Sequence, residues 1–326
     1  MHIGGIRLIT CAALVTMATG FIPPAHAQQG ARQGTALAQR ATDRTAHQVA
    51  HQVAHQVARR TAHRAAPAVP ERAAYLFDAG TGTVHFSKQA TRRLPVASLT
   101  KVMTAYVVLR EAGLDDVVTI NAGDVRHATT NDGTAAGLRA GERLTVRELL
   151  YGVMLPSGAD ATHALARVYG PGDSRFVAKM NAAARALSLT GTRYANPDGL
   201  PKPTPGYSTA LDQAKLAEVA LRDPVLRTIA STRRHVVRKS NLHRAHTWTN
   251  SNKLLGKAPG ALGVKTGYTR AAGYCLSFAA DRDGHLMIGV LLGDSSADRR
   301  FQTAERLLDW AEEQTTAGEG DLSDDV

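Results

Sequence analysis

Strand-like sequence stands at both ends of this chain and helical sequence fills the middle. Ala73-Ala74-Tyr75-Leu76-Phe77 is extended in character, Asp78-Ala79-Gly80-Thr81-Gly82 is turn-like, and Thr83-Val84-His85-Phe86 returns as a second strand. Far downstream, Tyr274 to Ala280 and Leu286 to Leu292 are apolar strand candidates, and Asp283-Gly284 between them is a strong hairpin signal. Arg299 to Glu313 then reads as an amphipathic helix with Phe301, Ala304, Leu307, Leu308 and Ala311 on one face. Strands at both ends with helices between them predict an α+β domain. Its antiparallel sheet is built from both chain ends and packs against a helical region.

The 326 residues suffice for one such domain with tails. Arg7, the apolar run Leu8 to Ile22 and the small-x-small triplet Ala25-His26-Ala27 read as a signal peptide over 1–27, cleaved after Ala27. The run is short and broken by Thr10, Thr16, Thr19 and Gly20, so a stable membrane anchor is not expected. Residues 28–70 form a basic Ala/Gln/Arg/His arm, too poor in aromatic residues to fold alone. Within it Ala-His-Gln-Val recurs, and a helix would put His47, His51 and His55 on one face, where imidazoles can bind Zn or Cu. Tandem duplication explains the repeat equally well. Pro67 and Pro70 close the arm, the domain is expected over 71–313, and 314–326 reads as an acidic disordered tail.

The formal net charge of +11 suits contact with acidic polymers. In an exported protein anionic wall polymers fit that role through the arm, and nucleic acid does not. Cys11 leaves with the signal peptide. Cys275 remains alone in an apolar strand-like run, and is expected to be a small core residue.

Three short segments carry chemistry. In Ser98-Leu99-Thr100-Lys101, followed by an apolar helical run from Val102 to Leu109, Ser98 and Lys101 share one face of a first turn. A serine hydroxyl needs a nearby base, and lysine serves only if burial or a helix N-terminus lowers its pKa. The plain alternative is a serine N-cap and a snorkelling lysine. Ser157-Gly158-Ala159 follows a helix opened by the capping box Thr145-Val146-Arg147-Glu148; alone, Ser157 reads as the N-cap of the next helix. Lys265-Thr266-Gly267 precedes the strand near Tyr274. Its lysine and threonine can hold a carboxylate, and its glycine leaves room for substrate against the strand.

In this order the three segments resemble those of the low-molecular-mass penicillin-binding proteins, the D-alanyl-D-alanine carboxypeptidases of the serine β-lactamase superfamily. The resemblance runs from about Ala73 to Ala311. It includes Pro95 to Tyr106, Leu149 to Gly158, Asn196-Pro197-Asp198-Gly199-Leu200, Tyr207-Ser208-Thr209-Ala210 and Leu308-Asp309-Trp310. It implies that Ser98 attacks the penultimate D-Ala carbonyl, Lys101 takes its proton, and Ser157 relays a proton to the leaving D-Ala. Lys265 and Thr266 would hold the terminal carboxylate beside Gly267, and backbone N–H groups of Ser98 and Tyr268 would form the oxyanion hole. Water or an amine would resolve the acyl-enzyme, giving carboxypeptidase or transpeptidase activity on peptidoglycan stem peptides. Penicillins and other β-lactams would acylate Ser98. No metal or organic cofactor is called for.

Ala159 departs from the family pattern, which usually has asparagine there. The missing amide should leave the substrate with fewer hydrogen bonds, so restoring it should speed acylation unless the pocket has repacked. Asp160 is about 100° further round the helix and cannot replace it. Two other readings remain: a serine β-lactamase, although no glutamate motif follows Ser157, and a catalytically weak wall-binding protein.

Overall fold

The computed structural model describes residues 65–202 and 204–320. Asp283 and Gly284 both adopt positive φ, 51° and 86°, and make the tight turn between β8 (Gly273–Arg282) and β9 (His285–Asp294). The first strand of the domain, β1 (Ala73–Asp78), pairs with β9, the last, in antiparallel register from Ala73↔Leu292 to Asp78↔Met287. With β2 (Val84–Lys88) outside β1 and β7 (Ala261–Thr269) outside β8, the order is β2-β1-β9-β8-β7, antiparallel throughout. The sheet is therefore the one expected, assembled from both ends of the chain.

Both faces of this sheet are covered, which is why β8 and β9 read as continuous apolar runs rather than alternating ones. One face, with Leu76, Leu276, Phe278, Met287 and Leu291, buries against Phe301, Ala304, Leu307, Leu308 and Ala311. Those five residues lie on the last helix, α8 (Arg299–Gly320). Phe77, Ala279, Ile288 and Val290 belong to a second core shared with the helical region. Burying each such side chain contributes about 1.5–3 kcal/mol.

At the centre of the helical region is α1 (Thr100–Val108), buried along its whole length. Around it lie α2 (Ala122–Thr130), α3 (Val146–Met154), α4 (Ala159–Tyr169), α5 (Asp173–Ala186), α6 (Ala210–Arg222) and α7 (Pro224–Ser231). The expected capping box opens α3: Thr145 Oγ1 accepts from Glu148 N, and Glu148 Oε2 accepts from Thr145 N. Two small ribbons flank the helices, β3 (Val117–Thr119) with β4 (Arg143–Thr145), and β5 (Arg234–Val237) with β6 (His246–Thr249).

Two boundaries differ from the sequence reading. The arm does not extend to residue 70, because Val69 is buried in the core under α8 and its carbonyl accepts from Lys88 Nζ at 2.6 Å. Nor does the last helix stop at 313. Its backbone ladder continues to Gly320, although apolar periodicity ends at Ala311, so the first part of the expected acidic tail is helical. Cys275 is a buried free cysteine, as expected, and burial pushes its thiol up to about 11. No helix among the described residues is long and apolar enough to cross a membrane. The signal segment and the His repeat lie outside the described residues.

Candidate active site

Ser98 lies in a short 3-10 turn, Ala97–Leu99, that runs directly into α1. It is not a cap, since neither the turn nor α1 has a side-chain N-cap hydrogen bond. The residue before it, Ala97, is held at φ 49°, a left-handed conformation that costs a non-glycine residue of order 1–3 kcal/mol. Lys101 is 1% exposed, and its Nζ donates to Ser98 Oγ at 3.0 Å and to the Asp198 carbonyl at 2.9 Å. Burial lowers Lys101 from the ordinary 10.5 to about 8, against the opposing charges of Asp198 and Asp160. A lysine in that state is partly neutral near pH 7 and can accept the Ser98 proton. It is buried rather than snorkelling.

The loop Asn196–Leu200 sets the Lys101 contact. Asn196 accepts from Gly199 N at 2.6 Å and donates to the Leu200 carbonyl at 2.7 Å, while Thr104 holds the Pro197 carbonyl. Gly199 has φ 79°, and a Cβ there would sit 1.9 Å from the Ala97 carbonyl oxygen. Glycine thus lets this loop press against the Ser98 turn.

Ser157 stands between α3 and α4 at φ 69°. The cap of α4 is Gly158, without a side-chain bond, so the N-cap reading of Ser157 does not hold. Its Oγ is buried and has no hydrogen-bond partner among the described residues. A strained backbone carrying an unpartnered hydroxyl is a mark of function rather than packing. Asp160, in the next turn, is near enough to act on the charge of Lys101. Its carboxylate accepts from the backbone N–H groups of Ala136, Gly137, Leu138 and Ala161 at 2.7–3.0 Å, so it is committed to holding that segment.

Ala159 is fully buried with Ala128 and Leu200 in a small apolar cluster, and a Cβ added at Gly133 would meet its Cβ at 2.9 Å. Apolar groups occupy the space around this position, which favours the repacked reading of Ala159.

On β7, an edge strand, Lys265 is 1% exposed with its Nζ donating to the Thr266 carbonyl at 3.1 Å. Burial holds it well below the ordinary lysine range, and the acting charges, Lys101 and Arg300, are both positive. Thr266 Oγ1 lies 2.6 Å from Ser251 Oγ, and Ser251 N donates to the Leu155 carbonyl at 3.1 Å, tying β7 to the segment before Ser157. At Gly267 a Cβ would sit 3.0 Å from Val96 O and 3.1 Å from Ser98 N, so glycine also gives room to the Ser98 turn. Tyr268 is 53% exposed and stacks on Tyr274 at 4.3 Å. Arg300, buried on α8, donates to the carbonyls of Gly267 and Cys275 at 2.9 Å and pins β7 beside β8.

The family model for D-alanyl-D-alanine carboxypeptidase matches residues 60–296, which span every element of this site except α8. The chain belongs to that family of serine peptidases. It is 38% identical over 256 residues to the D-alanyl-D-alanine carboxypeptidase of Streptomyces sp. (strain K15), covering 75% of this chain and 88% of that one. The crystal structure of the Streptomyces K15 DD-transpeptidase superposes with a TM-score of 0.71 at 38% identity, over 75% of this chain and 98% of that chain. To DacF of Bacillus subtilis (strain 168) it is 34% identical over 243 residues, covering 74% of this chain and 61% of that longer relative.

Within the family frame, sequence reasoning singled out Ser98, Lys101, Ser157, Lys265, Thr266, Gly267 and Tyr268. Direct contacts join Ser98 to Lys101, and the Gly267 backbone abuts the Ser98 turn. Ser251, Arg300 and the Asp198 carbonyl were not assigned roles. The Asn196–Leu200 segment did carry a signal, as part of the family resemblance.

Proposed function

We propose that this protein is an exported serine D-alanyl-D-alanine carboxypeptidase that removes the terminal D-Ala from peptidoglycan stem peptides through an acyl-enzyme on Ser98. The observation that carries the reading is the fully buried Lys101 Nζ at 3.0 Å from Ser98 Oγ, with its pKa lowered to about 8. Neutral Lys101 accepts the Ser98 proton as Oγ attacks the carbonyl carbon of the penultimate D-Ala. The backbone N–H groups of Ser98 and Tyr268 stabilise the oxyanion. As the tetrahedral intermediate collapses, the C–N bond breaks. The leaving amine takes the proton from Lys101 through the Ser157 hydroxyl, whose hydrogen-bonding capacity is otherwise unspent. Water then attacks the ester, releasing the shortened peptide and regenerating Ser98; an amine in its place gives transpeptidation.

The substrate's terminal carboxylate supplies the negative charge that Lys265 lacks, with Lys101 and Arg300 as its charged neighbours. The peptide backbone adds beside β7, whose outer edge has no strand partner in the sheet. β-Lactams acylate Ser98 by the same route. The N-terminal signal pattern supports export, and the basic arm supports retention on anionic wall polymers.

The test is hydrolysis of a stem pentapeptide with and without an amine acceptor, together with labelling by a fluorescent penicillin. Release of D-Ala and a long-lived label are expected. A label that turns over rapidly assigns a β-lactamase, and no label at all assigns a wall-binding protein without chemistry.

A further inference from the structure

Beyond the Ser98 centre, three metal-ligating side chains from three separate helices converge. His127 on α2, His163 on α4 and Asp173 at the start of α5 each bring a ligand atom within 4.8 Å of the other two. The two imidazoles stack with ring centroids 4.5 Å apart. Each uses one nitrogen on a buried carboxylate: His127 Nε2 bonds Asp198 Oδ2 at 2.7 Å, and His163 Nδ1 bonds Asp124 Oδ1 at 2.7 Å. Both carboxylates are themselves anchored, Asp198 by Leu200 N and Asp124 by Asn121 N and Arg167.

An ionised carboxylate only accepts, so each of these ring nitrogens must carry the hydrogen. In the neutral ring the lone pair is then left on His127 Nδ1 and His163 Nε2. Asn131 Nδ2 is 3.5 Å from His127 Nδ1, too long for a firm bond. A buried carboxylate behind each histidine, fixing tautomer and orientation, is the arrangement that supports metal-bound imidazoles. Asp173, the first-turn acid of α5, completes the set as a third potential ligand beside the two rings. A cavity of about 770 Å³, lined by His127, Asn131, Asp173, Ser174, Asn196 and Lys202, opens on two of the three ligands; His163 lies behind His127 and does not line it.

We propose that His127, His163 and Asp173 form a divalent transition-metal site, with Zn²⁺ the ion whose ligand preference they match. Two imidazole nitrogens and one carboxylate oxygen, with a water in the fourth position, make a tetrahedral Zn²⁺ set. With bonds near 2.0–2.1 Å such ligand atoms stand roughly 3.3 Å apart. Closing from 4.8 Å asks for up to about 1.5 Å of movement, shared between the partly exposed Asp173 side chain and a tilt of the two stacked rings toward each other. The ion would not enter the chemistry at Ser98. It would tie α2, α4 and α5 together, and it would brace Asp198, which holds His127 by its carboxylate and Lys101 by its carbonyl.

The experiment is Zn²⁺ binding to the full chain, stripped with chelator, by equilibrium dialysis and by thermal melting. Wild type is compared with His163→Gln, with Asp173→Asn, and with a triple His47→Gln, His51→Gln, His55→Gln variant that controls for the arm. The expected result is one Zn²⁺ whose affinity falls at least tenfold in His163→Gln and in Asp173→Asn and is kept in the triple variant. Zn²⁺ should raise the melting temperature of wild type and not of Asp173→Asn. Asp173 is partly exposed, so that variant folds even if His163→Gln does not. Binding that disappears in the triple variant, or that Asp173→Asn leaves unchanged, overturns the proposal.

Discussion

Acylation of Ser98 should switch on with pH through the neutral form of Lys101. Burial lowers this amine from 10.5 to about 8, so about a hundredth is neutral at pH 6, a tenth at pH 7 and half at pH 8. The second-order rate of penicillin labelling should therefore climb tenfold per pH unit up to about 8 and then level. The same shift has a thermodynamic consequence. The unfolded chain, with an ordinary lysine, keeps its proton up to about 10.5, whereas the folded chain loses it near 8. Below 8 both states are protonated, and the folded state bears the full cost of the buried charge, about 3 kcal/mol at 1.36 kcal/mol per pKa unit. Between 8 and 10.5 the unfolded state binds the extra proton, so rising pH favours folding and the cost fades. Lys101→Met removes this titration and leaves Lys265 and the other groups in place. The stability difference between wild type and Lys101→Met, from urea melts at pH 7 to 10.5, should move by about 3 kcal/mol in favour of wild type as pH rises. Taking the difference cancels the groups that Lys101 does not act on, and Lys265, which feels its charge, is removed by measuring the pair in a Lys265→Met background. A labelling rate flat between pH 6 and 8, or a stability difference that ignores pH, would refute the argument that burial makes Lys101 the base.

Ser98→Ala should abolish covalent labelling while costing under about 1 kcal/mol, since Ser98 caps no helix; the label and a melt on one sample check this. Ala159→Asn should slow acylation and lose about 1–3 kcal/mol, because the position is packed against Ala128 and Leu200. A faster, equally stable variant would restore the missing-contact reading. Gly199→Ala should cost about 3 kcal/mol or more, or rearrange the 196–200 loop, since its Cβ would collide with the Ala97 carbonyl; Tm and labelling rate report it together. Deleting residues 28–64, which spares the buried Val69, should leave peptide hydrolysis unchanged and weaken retention on isolated walls, most at low salt. Equal retention at every salt concentration argues against an electrostatic role.

Legibility in the sequence followed the kind of information each feature rests on. The sheet was readable because the Asp-Gly turn and the α8 stripe are local patterns, and their apolar residues are the ones buried. Ser98 and Lys101 were readable because helical spacing places them together. The left-handed backbone of Ser157 was not, because no residue-type rule puts a serine at φ 69°. The Asp198 carbonyl escaped since a main-chain acceptor leaves no mark in residue identity. Ser251 and Arg300 escaped because their contacts with β7 depend on where distant segments pack. Gly267 was recognised for a need for space, and its close approach to the Ser98 turn was hidden because those segments are far apart in the chain.

The pairing of β1 with β9 also decides when this protein can fold. During synthesis β1 emerges early, yet the strand it pairs with on its inner side is made only when almost the whole domain has appeared. Until then β1 has only the local hairpin with β2, and two strands alone are marginal in water. The Ser98 turn waits as well, because β7, which abuts it, is made late in the chain and is held by β8 and by Arg300 of α8. A ribosome-bound chain should thus be open to proteases and devoid of penicillin labelling. Both properties should change together, once β9 and α8 are free to dock.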